Sequence, residues 1–267
     1  MERIKRAIKT ILIIVGFLLV NILIDVFTGI TIPSLIASLK DGDFLKANGY
    51  IIYGVFFGQL IKFIILYFYI GKRDKTFKGK LNRSYLLKEK VLQPLNLVGI
   101  GLGTIGFGQF LTNLIMEAFS GTQALNSAMK LLENVFNPRG VLDGIIIALV
   151  VVIGAPLVEE LLFRGVLFEE IKRLCTVRTT IFLTALIFAC YHFNIIQSPN
   201  TFFMGLILAY VYHRTKSIKA SIIVHATNNI LAMAPFLDQG LTLLGFFINA
   251  VLLVVGIYSL LSLRRKA

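Results

Sequence analysis

VLDGIIIALVVVIGAPLVEELLFRG, residues 141–165, decides the architecture of this chain. Through Val158 the stretch carries one charge, Asp143; Glu159, Glu160 and Arg164 then close it. An apolar run of about 20 residues is what a helix needs to cross a bilayer. Comparable runs lie outward on both sides, at 8–30, 50–71 and 95–118 before it and at 179–193, 200–213, 218–236 and 241–263 after it. Composition points the same way: 57% of residues are hydrophobic and 15% charged, where soluble domains have about 45–50% and about 25%. Only helices and closed barrels satisfy the backbone in lipid, and the runs lack the alternation of barrel strands. The chain is therefore read as all-α, a polytopic transmembrane bundle of about eight helices.

The net charge of +13 does not indicate nucleic acid, because the basic residues sit in short segments between the apolar runs. With a cytoplasmic N-terminus, 21 of the 27 lysines and arginines fall on the cytoplasmic side and 4 on the other. Such asymmetry is how membrane proteins set orientation, so both termini are expected in the cytoplasm. The basic start at Glu2–Arg6 resembles a signal peptide, but the apolar stretch behind it is too long and has no small-residue cleavage site. It is read as the first span. The loop from Lys72 to Lys90 holds eight of the basic residues and is expected to lie against anionic lipid heads. The 119–140 connection is expected to hold a short amphipathic helix with Ala124, Met129, Leu132 and Val135 as its apolar side. Cys175 and Cys190 lack metal-ligand spacing and are read as free thiols. The organisation expected is N-terminal spans with the basic loop (1–94), a third span and outer loop (95–140), a catalytic core (141–236), and a final span with a basic tail (237–267).

Ionisable groups inside a span are costly and mark functional sites by default. Asp25 and Lys62 stand alone in the first two runs and are read as a mutual pair or as snorkelling side chains. The others, Glu159, Glu160, Arg164, His192 and His225, cluster in the second half. On a regular helix Glu160 and Arg164, at i and i+4, share a face. Glu159 and Arg164 stand about 140° apart at 3.6 residues per turn. The spacing assigns the ion pair to Glu160 and the proton-transfer role of a general base to Glu159.

A hairpin turning near Cys175–Thr176 would set Glu159 and His192 at one height, each about 25 Å from the turn. A carboxylate and an imidazole in register can hold a water. His225 and Asn229, at i and i+4, share a face at similar depth; Asn228 is about 100° round. Phe188 shares a face with His192 and is read as packing. The polar stretch Asn194–Asn200 precedes only about 14 apolar residues, short for a span. It must sit in protein or beside a water-filled cavity. His213 lies in a basic run and is left out of the site.

These residues, Glu159-Glu160-x-x-x-Arg164, Phe188-x-x-x-His192 and His225-x-x-x-Asn229, resemble the CPBP family of CAAX-type proteases and bacteriocin-processing or self-immunity enzymes, also called the Abi family. The resemblance covers roughly 140–235. It implies that Glu159 and His192 activate the attacking water. His225 and Asn229 would form the oxyanion hole, and Arg164 would support the Glu159–Glu160 pair. The family's eukaryotic members remove the last three residues of prenylated CAAX proteins.

The function expected is an intramembrane endopeptidase acting on a peptide or lipidated protein substrate in the bilayer of a bacterial plasma membrane. Metal is open. Glu159, His192 and His225 would be an ordinary donor set for one zinc ion, but there is no H-E-x-x-H, and Asn229 shares the His225 face as a poor ligand. The competing reading is a non-catalytic immunity or scaffold protein of the same fold, which has no need of matched carboxylates and histidines. A proton-coupled transporter is disfavoured, because no repeat of broken helices is visible.

Overall fold

The computed structural model describes residues 2–73, 75, 94–234 and 240–264. Most of the basic loop Lys72–Lys90, and Arg265 and Lys266 of the tail, lie outside the described residues. The described secondary structure is helical: α1 (Glu2–Asp41), a 3-10 turn (Phe44–Tyr50), α2 (Ile51–Arg73), α3 (Pro94–Ala118), α4 (Gln123–Phe136), α5 (Val141–Ile171), α6 (Val177–Tyr191), α7 (Gln197–Thr215), α8 (Ile218–Ala232) and α9 (Leu243–Arg264). Among the described residues, five segments are long and apolar enough to cross a membrane: Ile4–Asp41, Phe44–Arg73, Pro94–Ala118, Val141–Ile171 and Leu243–Leu263. Many of their large apolar side chains, among them Leu19, Leu23, Phe68, Phe247 and Val254, are exposed. Exposed apolar surface on this scale is what lipid covers, and the protein is an integral membrane protein.

The runs read at 179–193 and 218–236 form helices of 15 residues each. At 1.5 Å per residue these are about 22 Å long, less than the roughly 30 Å of hydrocarbon. The first run extends well past its expected end, because α1 continues through Pro33 to Asp41. Its apolar residues keep helical spacing across the proline, which removes one rung of the ladder at Gly29. In α4 the buried side belongs to Leu125 rather than Ala124, with Met129, Leu132 and Val135 half-buried along it. Leu125 completes the three-and-four spacing to Ala128, Leu132 and Val135 better than its smaller neighbour does.

The chain divides into two compact units. The first comprises residues 1–73 and 129–175 and contains α1, α2 and α5. Ile52 of α2 packs with Ile147 and Val150 of α5 in a core flanked by Tyr53, Phe56 and Val135. At one end Glu170 is buried; it accepts from Thr10 Oγ1 at 3.4 Å and pairs with Arg73 and with Arg173, the latter at 3.2 Å. At the other, Tyr53 donates to Asp143 at 2.7 Å, and Arg139 pairs with the same carboxylate at 3.5 Å while stacking over the Tyr50 ring. In the middle Lys62 Nζ donates to Asp25 Oδ1 at 2.7 Å, so these two span residues are the mutual pair expected.

The second unit comprises residues 74–128 and 176–267 and contains α3, α6, α7, α8 and α9. Its axis is α3, whose glycines form two faces. Gly99, Gly103 and Gly106 lie against α9, with Gly103 meeting Gly256 backbone to backbone. Gly101 lies against Val224 and Thr227 of α8. Small residues let membrane helices approach closely, where dispersion and weak polar contacts replace a hydrophobic drive.

Candidate active site

The carboxylate motif lies on α5, in the first unit. This helix is not regular. Two stretches, Leu149–Gly154 and Leu161–Leu167, are π-helical and bracket the α-helical Ala155–Glu160. Pro156 supplies a reason for the first. A proline inside a helix has no N–H to donate, and its ring presses on the carbonyl one turn back; widening that turn relieves the clash. The Val150 carbonyl accepts from the Ala155 N–H across the wide turn, and Gln59 Nε2 of α2 also donates to it, at 3.3 Å. Gly154 makes room for that amide, since a Cβ there would overlap Gln59 Oε1. π-segments occur preferentially at functional sites.

Glu160, between the two π-segments, and Arg164, within the second, are 0% and 1% exposed. Arg164 Nε stands 3.0 Å from Glu160 Oε2, the pairing that i, i+4 spacing assigns. Leu161, Leu162, Phe163, Val166 and Leu167 of the same segment are buried as well. Two desolvated charges break even only when each neutralises the other. Glu159 is half-buried and within electrostatic reach of the same guanidinium. A regular wheel turned Glu159 away from Arg164; the i→i+5 bonding of the second π-segment brings residues five apart toward a common face.

The histidines lie in the second unit, with Asn229. Thr176 caps α6, accepting from the Thr179 N–H at 3.3 Å, and α6 ends at Tyr191 with His192 in the cap position. Phe193 takes the left-handed conformation (φ 47°) that turns the chain. The Asn194–Asn200 stretch is tighter than expected, because α7 begins at Gln197 and runs 19 residues. The Asn194 and Ser198 side chains of this stretch are hydrogen-bonded within the protein, while Asn200 Oδ1 is buried with no hydrogen-bond partner among the described residues. Asn194 Oδ1 accepts from the Ile196 and Gln197 N–H groups, and its Nδ2 donates to the Ala128 carbonyl. Ser198 Oγ donates to the carbonyls of Ala189 and Asn194.

Phe188 holds both imidazoles. Its carbonyl lies 2.8 Å from His192 Nδ1. A carbonyl can only accept, so Nδ1 carries the proton, and in the neutral ring Nε2 keeps its lone pair. The fully buried Phe188 ring stands nearly perpendicular to both rings, at 4.9 Å from His192 and 6.0 Å from His225. Gly205 of α7 backs it: a Cβ there would meet Ala185 Cα at 3.0 Å and Phe188 Cδ1 at 3.2 Å.

His225 is 2% exposed on α8. Ser217 caps that helix by accepting from the Ala220 N–H, and Ser221 Oγ ties it to the Leu208 carbonyl of α7 at 3.3 Å. Asn229 follows one turn later, and Asn228 Nδ2 donates to its Oδ1 at 3.3 Å. His213 accepts from Lys216 in the basic end of α7.

Sequence reasoning passed over Gln59, Gly154, Pro156 and Asn228. Pro156, three residues before Glu159 in an apolar run, was the visible signal. Among the described residues no group of three or more His, Cys, Asp and Glu side chains could hold a metal ion.

Residues 141–231 match the family model described as type II CAAX prenyl endopeptidase Rce1-like, and this segment is a domain of the CPBP family. It contains all three motifs. No curated protein and no solved structure matches the chain.

Proposed function

We propose that the protein is an intramembrane endopeptidase hydrolysing a peptide bond of a lipidated or membrane-associated peptide, with CAAX-type C-terminal processing as its reaction. The observation that carries the reading is the fixed His192 tautomer, inside a segment that matches a peptidase family. An Nε2 lone pair kept by a backbone acceptor at Nδ1 is what a general base requires.

In the proposed reaction Glu159 and His192 Nε2 take a proton from water as its oxygen bonds to the peptide carbonyl carbon. The carbonyl π electrons move to oxygen. His225 and the Asn229 amide donate to that oxyanion, an interaction worth about 3–4 kcal/mol per donor. Collapse re-forms the carbonyl and breaks the C–N bond, and the held proton passes to the leaving amine. Glu160 and Arg164 keep the carboxylate segment charge-balanced. No step is routed through a metal.

The test is product analysis by mass spectrometry. Purified protein is incubated with a prenylated peptide ending in a CAAX sequence and with its unprenylated counterpart. Release of the C-terminal tripeptide by wild type, absent in His192→Ala, is expected. A folded wild type that cleaves neither peptide overturns the reading and favours the immunity or scaffold class.

A further inference from the structure

The proposed chemistry leaves one polar side chain beside its own residues unused. Asn228 is 3% exposed on α8. Its Nδ2 donates to Asn229 Oδ1, while its own Oδ1 is buried with no hydrogen-bond partner among the described residues. An unfilled buried acceptor costs about 1–3 kcal/mol, and such groups in native proteins call for an explanation. Leucine has nearly the same shape and no such cost, so packing does not account for the amide.

Its contact with Asn229 does. An asparagine amide has a donor end and an acceptor end. Only the donor end serves an oxyanion; turned over, the same side chain opposes negative charge. The Asn228 N–H satisfies Asn229 Oδ1 and so fixes which end is which. We infer that Asn228 is a positioning residue, which holds the Oδ1 of Asn229 and thereby aims the Asn229 amide nitrogen as an oxyanion donor. The inference rests on the oxyanion role proposed above for Asn229.

The experiment measures kcat, KM and thermal unfolding for full-length wild type, Asn228→Leu, Asn228→Asp, Asn229→Ala and the Asn228→Leu/Asn229→Ala double variant. Loss of a whole oxyanion donor typically lowers kcat by about 10²–10³-fold, and this is expected for Asn229→Ala. Asn228→Leu is expected to lower kcat about tenfold, since the donor remains but loses its aim. KM stays within about twofold, and the unfolding temperature is unchanged or higher. In the Asn229→Ala background the same substitution adds nothing, as for two residues acting through one contact. Asn228→Asp, whose carboxylate cannot donate, is at least as slow as Asn228→Leu.

Wild-type kcat in Asn228→Leu, beside a crippled Asn229→Ala, overturns this inference alone. So does an Asn228→Leu loss that comes with a lower unfolding temperature and persists in the Asn229→Ala background, which marks a packing residue. Full activity in Asn229→Ala overturns the oxyanion role itself, and this inference with it.

Discussion

Replacing Gly205 with alanine tests whether Phe188 sets the histidines. The added Cβ would lie 3.0 Å from Ala185 Cα, 3.1 Å from Ala185 Cβ and 3.2 Å from Phe188 Cδ1. Carbon atoms pack best at about 3.5–4.0 Å, so α6 and α7 must part by about half an ångström. Overpacking of this kind costs about 1–3 kcal/mol. The displacement falls on a ring 4.9 Å from His192 and 6.0 Å from His225, and on the residue whose carbonyl orients His192. A misplacement of 1 Å can cost about 10²-fold in rate; half that predicts about a tenfold fall in kcat. The assay is cleavage of a quenched lipidated peptide in detergent, with thermal unfolding recorded alongside. Gly16→Ala is the control, because a Cβ there meets nothing within 4 Å. Wild-type kcat for Gly205→Ala, in a protein that unfolds several degrees lower, would refute the coupling of Phe188 to catalysis.

Other outcomes follow from the same contacts. Arg164→Leu leaves Glu160 without its 3.0 Å partner in a fully enclosed position; a loss of about 3–5 kcal/mol is expected, read as lower unfolding temperature and poor membrane yield. Gln59→Ala and Gly154→Ala both remove the amide contact to Val150; each is expected to lower kcat by a similar factor, and the double variant by no more than either. Lys62→Met removes the 2.7 Å contact from Lys62 to Asp25 in the first unit; reduced stability is expected, with unchanged kcat in the folded fraction measured by active-site titration.

The helices were legible because a bilayer imposes a simple rule. Each apolar run became a helix, and the charge pair Glu160–Arg164 followed from a four-residue spacing that any helix keeps. Where the helix departs from 3.6 residues per turn, the wheel is a poor guide: Glu159 comes within electrostatic reach of Arg164 beside the second π-segment, and the first π-segment follows from Pro156 and a tertiary contact with Gln59. The Asn194–Asn200 stretch was read as polar loop from composition alone. The Asn194 and Ser198 side chains instead bond to backbone groups at helix ends, so the polar residues begin a helix rather than interrupt one. The two-faced glycine pattern of α3 was in plain view, but its meaning depends on which helices lie against it. Phe188 was read as packing. Its backbone carbonyl, which no sequence pattern displays, gives it the second role of fixing the His192 tautomer.

The measurement closest to the central claim is peptidase activity of the purified protein in detergent on a quenched lipidated peptide, wild type beside Glu159→Ala, with and without a strong chelator. The account predicts cleavage by wild type that survives the chelator and is lost in Glu159→Ala while the variant stays folded. Cleavage that persists in Glu159→Ala, or that the chelator abolishes and zinc restores, would contradict a water activated by Glu159 and His192 alone.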